Sequence, residues 1–199
     1  MPDKPGLMRS KPVRGVTKLL RGEISPKAFV ELAYQTAFDK PPTTRPVSYS
    51  QARQDLFFAL LFGERPGTYV DVGARDGVII SNTYALEKHY GWTGVCVEPH
   101  PGSFAKLARS RGSRNINAAV ADVDEGGATL DFVMWKEGPV GYAGLIDEDF
   151  RHTERMKTHA HEVIKVPCLP LHKILSDEGL THVDVLDIDV EGAEAAVVR

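Results

Sequence analysis

The chain has 199 residues, 42% of them hydrophobic and 26% charged, with a formal net charge of −3. That is length enough for one buried core, a composition ordinary for a globular protein, and no charge excess to steer it toward nucleic acid or an anionic membrane. No apolar run approaches the ~20 residues of a membrane span. The two cysteines, Cys96 and Cys168, fall in predicted strands outside any metal-ligand pattern, which reads as two buried free thiols in a reducing, cytoplasmic setting.

Residues 1–21 carry six basic side chains (Lys4, Arg9, Lys11, Arg14, Lys18 and Arg21) against the single acid Asp3, with no apolar core of a secretory signal; they read as a solvated basic tail. Ser25 and Pro26 suit the start of a helix whose apolar face carries Phe29, Leu32, Ala33 and Phe38. Pro41, Pro42 and Pro46 exclude regular structure and mark a linker. Residues 1–46 thus divide off as tail, helix and linker from a domain over residues 47–199. That domain opens with a predicted helix over residues 50–62, with Leu56, Phe57, Leu60 and Leu61 turned inward.

Next comes the apolar strand 68–72, then the turn Gly73-Ala74-Arg75-Asp76-Gly77, then a helix from Ser81 to about Tyr90. An acid, Asp71, stands before the glycine turn and another, Asp76, within it. A dinucleotide site wants G-x-G-x-x-G, so that backbone can approach a pyrophosphate. This turn lacks that spacing, and its carboxylates would repel phosphate. A cofactor with positive charge and no phosphate fits better, and S-adenosylmethionine is such a cofactor; an ordinary strand–turn–helix corner is the plainer alternative. Ser81, Asn82 and Thr83, at the start of the following helix, suit through their hydroxyls and backbone N–H groups either the carboxylate of an amino-acid ligand or plain capping.

A second apolar strand, 93–97, ends in Glu98, where a carboxylate can accept both ribose hydroxyls. A helix from about Pro101 follows, with Phe104, Leu107 and Ala108 on one face. The third predicted strand, 116–121, ends in Asp122, placed to accept an adenine amine. A lone strand-terminal acid is usually a cap or turn residue, but three in succession at one sheet edge point to a ligand. Residues 129–135 and 163–168 then alternate or run apolar as two further strands, with a charged helical stretch over 147–161 between them; together they suggest a small antiparallel insertion. The fourth parallel strand, 183–188, leads to Asp189 and to a helix starting near Glu191. Alternating β and α units predict an α/β fold with a parallel sheet, flanking helices and right-handed crossovers.

The quoted stretches, with Tyr49-Ser50-Gln51-Ala52-Arg53-Gln54-Asp55-Leu56-Phe57, VDVGARDGVIISNT, GWTGVCVEPHP, NAAVAD and LDIDVEGAE, carry a family resemblance. From Tyr49 to its end the chain resembles the FkbM-type family of S-adenosylmethionine-dependent methyltransferases. The resemblance implies a Rossmann-like, class I methyltransferase fold, S-adenosylmethionine as methyl donor and an oxygen acceptor on a small molecule or glycan. Against that architecture the chain stops inside the helix after strand four, so the C-terminal part of the usual sheet is expected to be missing. The uncovered edge would invite self-association, and a non-catalytic donor-binding module is the alternative reading.

Hydroxyl methylation needs in-line positioning and removal of a proton. Asp71, Gly73, Asp76, Ser81, Asn82, Glu98 and Asp122 are the candidate donor-binding residues. Asp189 and Glu191 are the candidate bases, and Asp189 also a candidate ligand for Mg²⁺ through hard oxygen donors. His159 and His161 lack a third partner for zinc, and His100 reads as a helix-start residue. Trp135 and Tyr142 suit either an acceptor pocket or the core.

Overall fold

The structure, a computed structural model, describes residues 48–62, 65–135, 143–146, 156–190 and 192–198. The basic tail, the helix expected from Ser25, the proline linker, Tyr142 and Glu191 lie outside the described residues, as does most of the charged stretch 147–161.

The first described helix, α1 (Gln54–Leu61), starts later than its apolar pattern predicts. The cause is Asp55, fully buried, whose carboxylate accepts from the Ser48 hydroxyl and the Tyr49 N–H, both at 2.7 Å, and from the Leu56 N–H at 2.8 Å. This ties residues 48–50 down as an extended strap, and Ser50 forms a parallel bridge with Ile80. Arg53, at φ 63°, then turns the chain into the helix.

Strands β1 (Thr68–Val72), β2 (Thr93–Val97) and β3 (Arg114–Ile116) follow, joined by helices α2 (Tyr84–Tyr90) and α3 (Pro101–Ser110). With β8 (Val185–Ile188) they make a parallel sheet in the order β3-β2-β1-β8. Gly91 stops α2 by entering the left-handed region at φ 69°. His100 caps α3 by accepting from the Ser103 N–H on Nδ1 at 3.1 Å, the helix-start role its sequence position suggested. On α3, Leu107 is buried, whereas Ala108, expected beside it, turns to solvent. One face of the sheet packs Tyr69, Cys96 and Val185 against Ala59 of α1, Leu86 of α2 and Leu107 of α3. The other packs Val70, Val72, Val95 and Val97 against Ile174 of α4 (Leu171–Asp177) and Val197 of α5 (Glu194–Val197). Helices thus cover both faces, as buried parallel strands require.

The single third strand expected over residues 116–121 is two. β3 stays with the parallel sheet, while β4 (Ala119–Val120) pairs in parallel with β7 (His161–Leu169) in a second sheet. The break falls at Asn117, whose side-chain amide donates to the carbonyls of Glu98 at 2.8 Å and Pro99 at 3.1 Å. Those bonds fasten the end of β2 to the start of the new direction. The second sheet, ordered β4-β7-β5-β6, contains the expected antiparallel insertion, with β5 (Ala128–Trp135) pairing along β7 and with β6 (Ala143–Leu145). Both cysteines are buried and free.

The registers bring the loops after β1 and β8 into contact. Asp189 donates its N–H to the Val72 carbonyl at 2.9 Å. A Cβ on Gly73, which sits at φ 92°, would lie 2.1 Å from the Asp189 carbonyl oxygen. Both colliding groups are backbone held by sheet bonds, so neither can give way. Gly73→Ala should therefore lower stability by at least ~2 kcal/mol. Gly126→Ala, with nothing within 4 Å of its added methyl, should stay within about 0.5 kcal/mol of the parent. Urea midpoints compare the two, and equal midpoints would contradict the close approach at Gly73.

Candidate active site

Register sets a row of side chains across the parallel sheet. Asp71 lies between Cys96 on β2 and Asp187 on β8, and Asn115 on β3 continues the row. Alternation sends these side chains to the α2 face, beneath the glycine turn. Asp71 is 3% exposed; it accepts from the Thr83 hydroxyl, and its Oδ2 lies 4.0 Å from the Arg111 guanidinium. Burial pushes the Asp71 carboxyl above the usual carboxylate range, opposed by Arg111 and Thr83. Burial likewise lifts Asp187 to about 6, helped by the negative charges of Asp71 and Asp189 and opposed by the Asn82 amide.

Glu98, 5% exposed, stands beyond β2 on the far side of the turn. It accepts the Arg75 N–H on one oxygen and the His100 N–H on the other, both at 2.8 Å. The carboxylate is thereby fixed across the loop while each oxygen keeps a second lone pair. Burial raises its pKa against those two backbone bonds. Asp76 accepts the Val78 and Ile79 N–H groups on Oδ1 at 3.0 and 2.9 Å. The Ser81 hydroxyl accepts the Thr83 and Tyr84 N–H groups at 3.3 and 3.0 Å, which is the capping alternative for this residue. Asn82 donates its amide to both oxygens of Asp187 at 3.1 Å, and its Oδ1 is buried with no hydrogen-bond partner. Since a carboxylate only accepts, the free atom of Asn82 is an acceptor.

The structure brings Asp71, Gly73, Asp76, Ser81, Asn82 and Glu98 together around one turn, and Asp189 joins them through its contact with Gly73. Asp189 and Asp122 are exposed. Asp122 follows β4, so it belongs to the second sheet and not, as expected, to the third strand of the first. Among the described residues, no group of three or more His, Cys, Asp or Glu side chains is arranged to hold a metal ion, so Asp189 has no assembled Mg²⁺ site around it there. Trp135 packs edge-on against the rings of His159 and His161, at 6.4 and 5.8 Å between centroids, on the second sheet. No described helix is long and apolar enough to cross a membrane.

Sequence reading missed the polar partners beneath the turn: Arg111, Glu87 and the Tyr69 hydroxyl. Burial opposes ionisation of Glu87, but hydrogen bonds from Ser113, Tyr69 and Arg111 outweigh it and hold the carboxyl down at about 2. Arg111 closes α3 and reads in sequence as an ordinary helix-end cation. Its partners are 24 to 42 residues away, so no local pattern could announce it.

The acceptor set suits a cation carrying hydroxyl and amine donors: buried acids and an unpartnered acceptor on Asn82. A family model described as the methyltransferase FkbM domain matches residues 71–199. No curated protein and no solved structure matches the chain significantly.

Asp187 supplies a pH test. Its folded pKa of about 6 exceeds the ordinary 3.8, so the folded state takes up its proton first. Its contribution to stability rises as pH falls from about 7 to about 4, and is complete below the unfolded value. Asp187→Asn should be more stable than the parent at pH 8, by about 1–2 kcal/mol after allowance for partial exposure, and roughly equal to it at pH 4. Urea denaturation across that range reads the difference; one that does not vary with pH would show that Asp187 titrates normally.

Proposed function

The chain belongs to the FkbM methyltransferase family, whose domain spans well over half of it, and from that premise we propose that it moves a methyl group from S-adenosylmethionine to a hydroxyl on a small molecule or glycan. We read the parallel sheet as Rossmann-like, with the donor beyond the carboxyl ends of β1, β2 and β8, where open α/β sheets bind ligands.

One observation carries the reading. The Glu98 carboxylate is buried beyond β2 and held at both oxygens by backbone N–H groups, one of them from the glycine turn. A fixed pair of acceptors with spare lone pairs matches a vicinal diol, which is what a ribose presents. Negative charge on Asp71, Asp187 and Asp189 favours a cationic ligand and disfavours a pyrophosphate.

When bound, S-adenosylmethionine supplies an electrophilic methyl group on a sulfonium. The chain's own residues do the rest. Glu98 accepts the ribose hydroxyls, and Asp122 accepts the adenine amine. Asn82 Oδ1 and Asp187 face the donor's ammonium, because the side-chain amide of Asn82 is already engaged by Asp187, and the backbone N–H groups at the start of α2 take the donor's carboxylate. Asp189, exposed next to Gly73, takes the acceptor's proton as the methyl transfers.

Calorimetric titration tests the donor: S-adenosylhomocysteine should bind and NAD should not. Glu98→Gln should weaken S-adenosylhomocysteine at least ~10-fold, because charge-assisted hydrogen bonds are worth about 1.5–3 kcal/mol each. Unchanged affinity in a folded variant would remove Glu98 from the ribose site.

Asp189→Asn tests the base. Loss of a general base lowers turnover by ~10²–10⁴, while S-adenosylhomocysteine affinity should stay within a factor of about two, a difference worth only ~0.4 kcal/mol. Release of S-adenosylhomocysteine over a panel of hydroxylated acceptors measures the first and calorimetry the second. Full turnover by Asp189→Asn would make it a bystander.

A further inference from the structure

Arg111 has 0% side-chain exposure, yet the family reading gives it no task. A guanidinium has five N–H donors in a rigid fork, and here each one has a protein acceptor. Nε donates to Glu87 at 2.7 Å. Nη1 donates to the Gly77 carbonyl at 3.0 Å and the Ser81 hydroxyl at 3.3 Å. Nη2 donates to the Tyr69 hydroxyl at 2.7 Å and the Thr83 hydroxyl at 2.9 Å. The rings of Tyr69 and Tyr84 lie 5.2 and 5.6 Å from the guanidinium carbon.

These acceptors trace the donor loop from beginning to end: β1 before it, Gly77 within it, and Ser81, Thr83 and Glu87 at and beyond the start of α2. The loop rests on the arginine stem as well. A Cβ on Gly77, at φ 81°, would lie 2.7 Å from Arg111 Cγ. Thr83, held by Arg111, in turn donates to Asp71. The guanidinium therefore fixes the turn's backbone and the orientation of the acid before it, without reaching the open side of the turn.

We propose that Arg111 is the positioning residue of the methyl-donor site, holding the 77–83 stretch in the conformation that receives the donor; this rests on the donor reading above. A lysine cannot replace it, because one ammonium cannot span five acceptors on three elements.

Hydrogen exchange on the donor-free protein tests the positioning directly. In Arg111→Lys, amides of residues 77–84 should exchange at least ~10-fold faster (about 1.4 kcal/mol of local opening), while those of β1 and β2 keep their protection. S-adenosylhomocysteine affinity should fall by at least the same factor. Glu87→Gln, which loosens the guanidinium without removing it, should give the same loop-limited pattern to a smaller extent and serves if the first variant does not fold. Acceleration spread evenly over the sheet, or an unchanged loop in both variants, overturns the proposal. Loop-limited loosening with unchanged S-adenosylhomocysteine affinity overturns it while sparing the donor reading. Failure of the parent itself to bind S-adenosylhomocysteine overturns the donor reading, and with it this inference.

Discussion

The site depends on how buried charge is balanced under the glycine turn. Asp71 and Glu98 are almost fully enclosed, Asp187 is partly so, and Arg111 is the buried cation beside Asp71. A buried ion without partners costs several kcal/mol, and a pair is tolerated only when the remaining donors and acceptors are also satisfied. Arg111 meets that condition with five hydrogen bonds. The carboxylates meet it unequally. Asp71 has the Thr83 hydroxyl and the nearby guanidinium, Asp187 has one amide, and Glu98 has two backbone N–H groups and the charge of Arg75. Negative charge therefore remains under-compensated toward the carboxyl ends of the strands. Burial is the main cause that lifts these pKa values, with neighbouring carboxylates adding to it, and such a cluster of perturbed acids at one sheet edge marks a candidate ligand site.

Much of this was legible in the sequence, and the illegible parts share a cause. β1 and β2 are short apolar runs between glycines and acids, and both were readable, as was Glu98 at the end of β2. The third strand misled because residues 116–121 form one apolar run, and hydrophobicity does not record which sheet a residue joins. Asn117 was the sole polar interruption, and its side chain is what secures the change of direction. Ser81 and Asp76 Oδ1 also accept backbone N–H groups of the turn, local bonds that short polar side chains form wherever a turn leaves donors open and that no sequence pattern separates from a ligand role. Arg111 was invisible because every partner is distant in sequence.

The turn itself is strained, which explains why it needs support from two sides. Between residues 73 and 80 the chain enters the left-handed region at Gly73, Arg75, Gly77 and Ile80. Glycine does so freely, but Ile80, at φ 55°, is β-branched and pays a steric cost of order 1–3 kcal/mol. Such a conformation persists only if its neighbours over-determine it. From beneath, Arg111 holds Gly77, Ser81 and Thr83. From outside, Ser50 bridges Ile80, and its hydroxyl donates to the Ser81 carbonyl at 3.4 Å. That strap is in turn fastened by Asp55, buried at 0% exposure. Ser50 and Asp55 precede residue 71, where the family match begins. The conformation of the glycine turn therefore rests partly on residues outside the matched segment, a chain of support that reaches back to Ser48, whose hydroxyl also bonds Asp55.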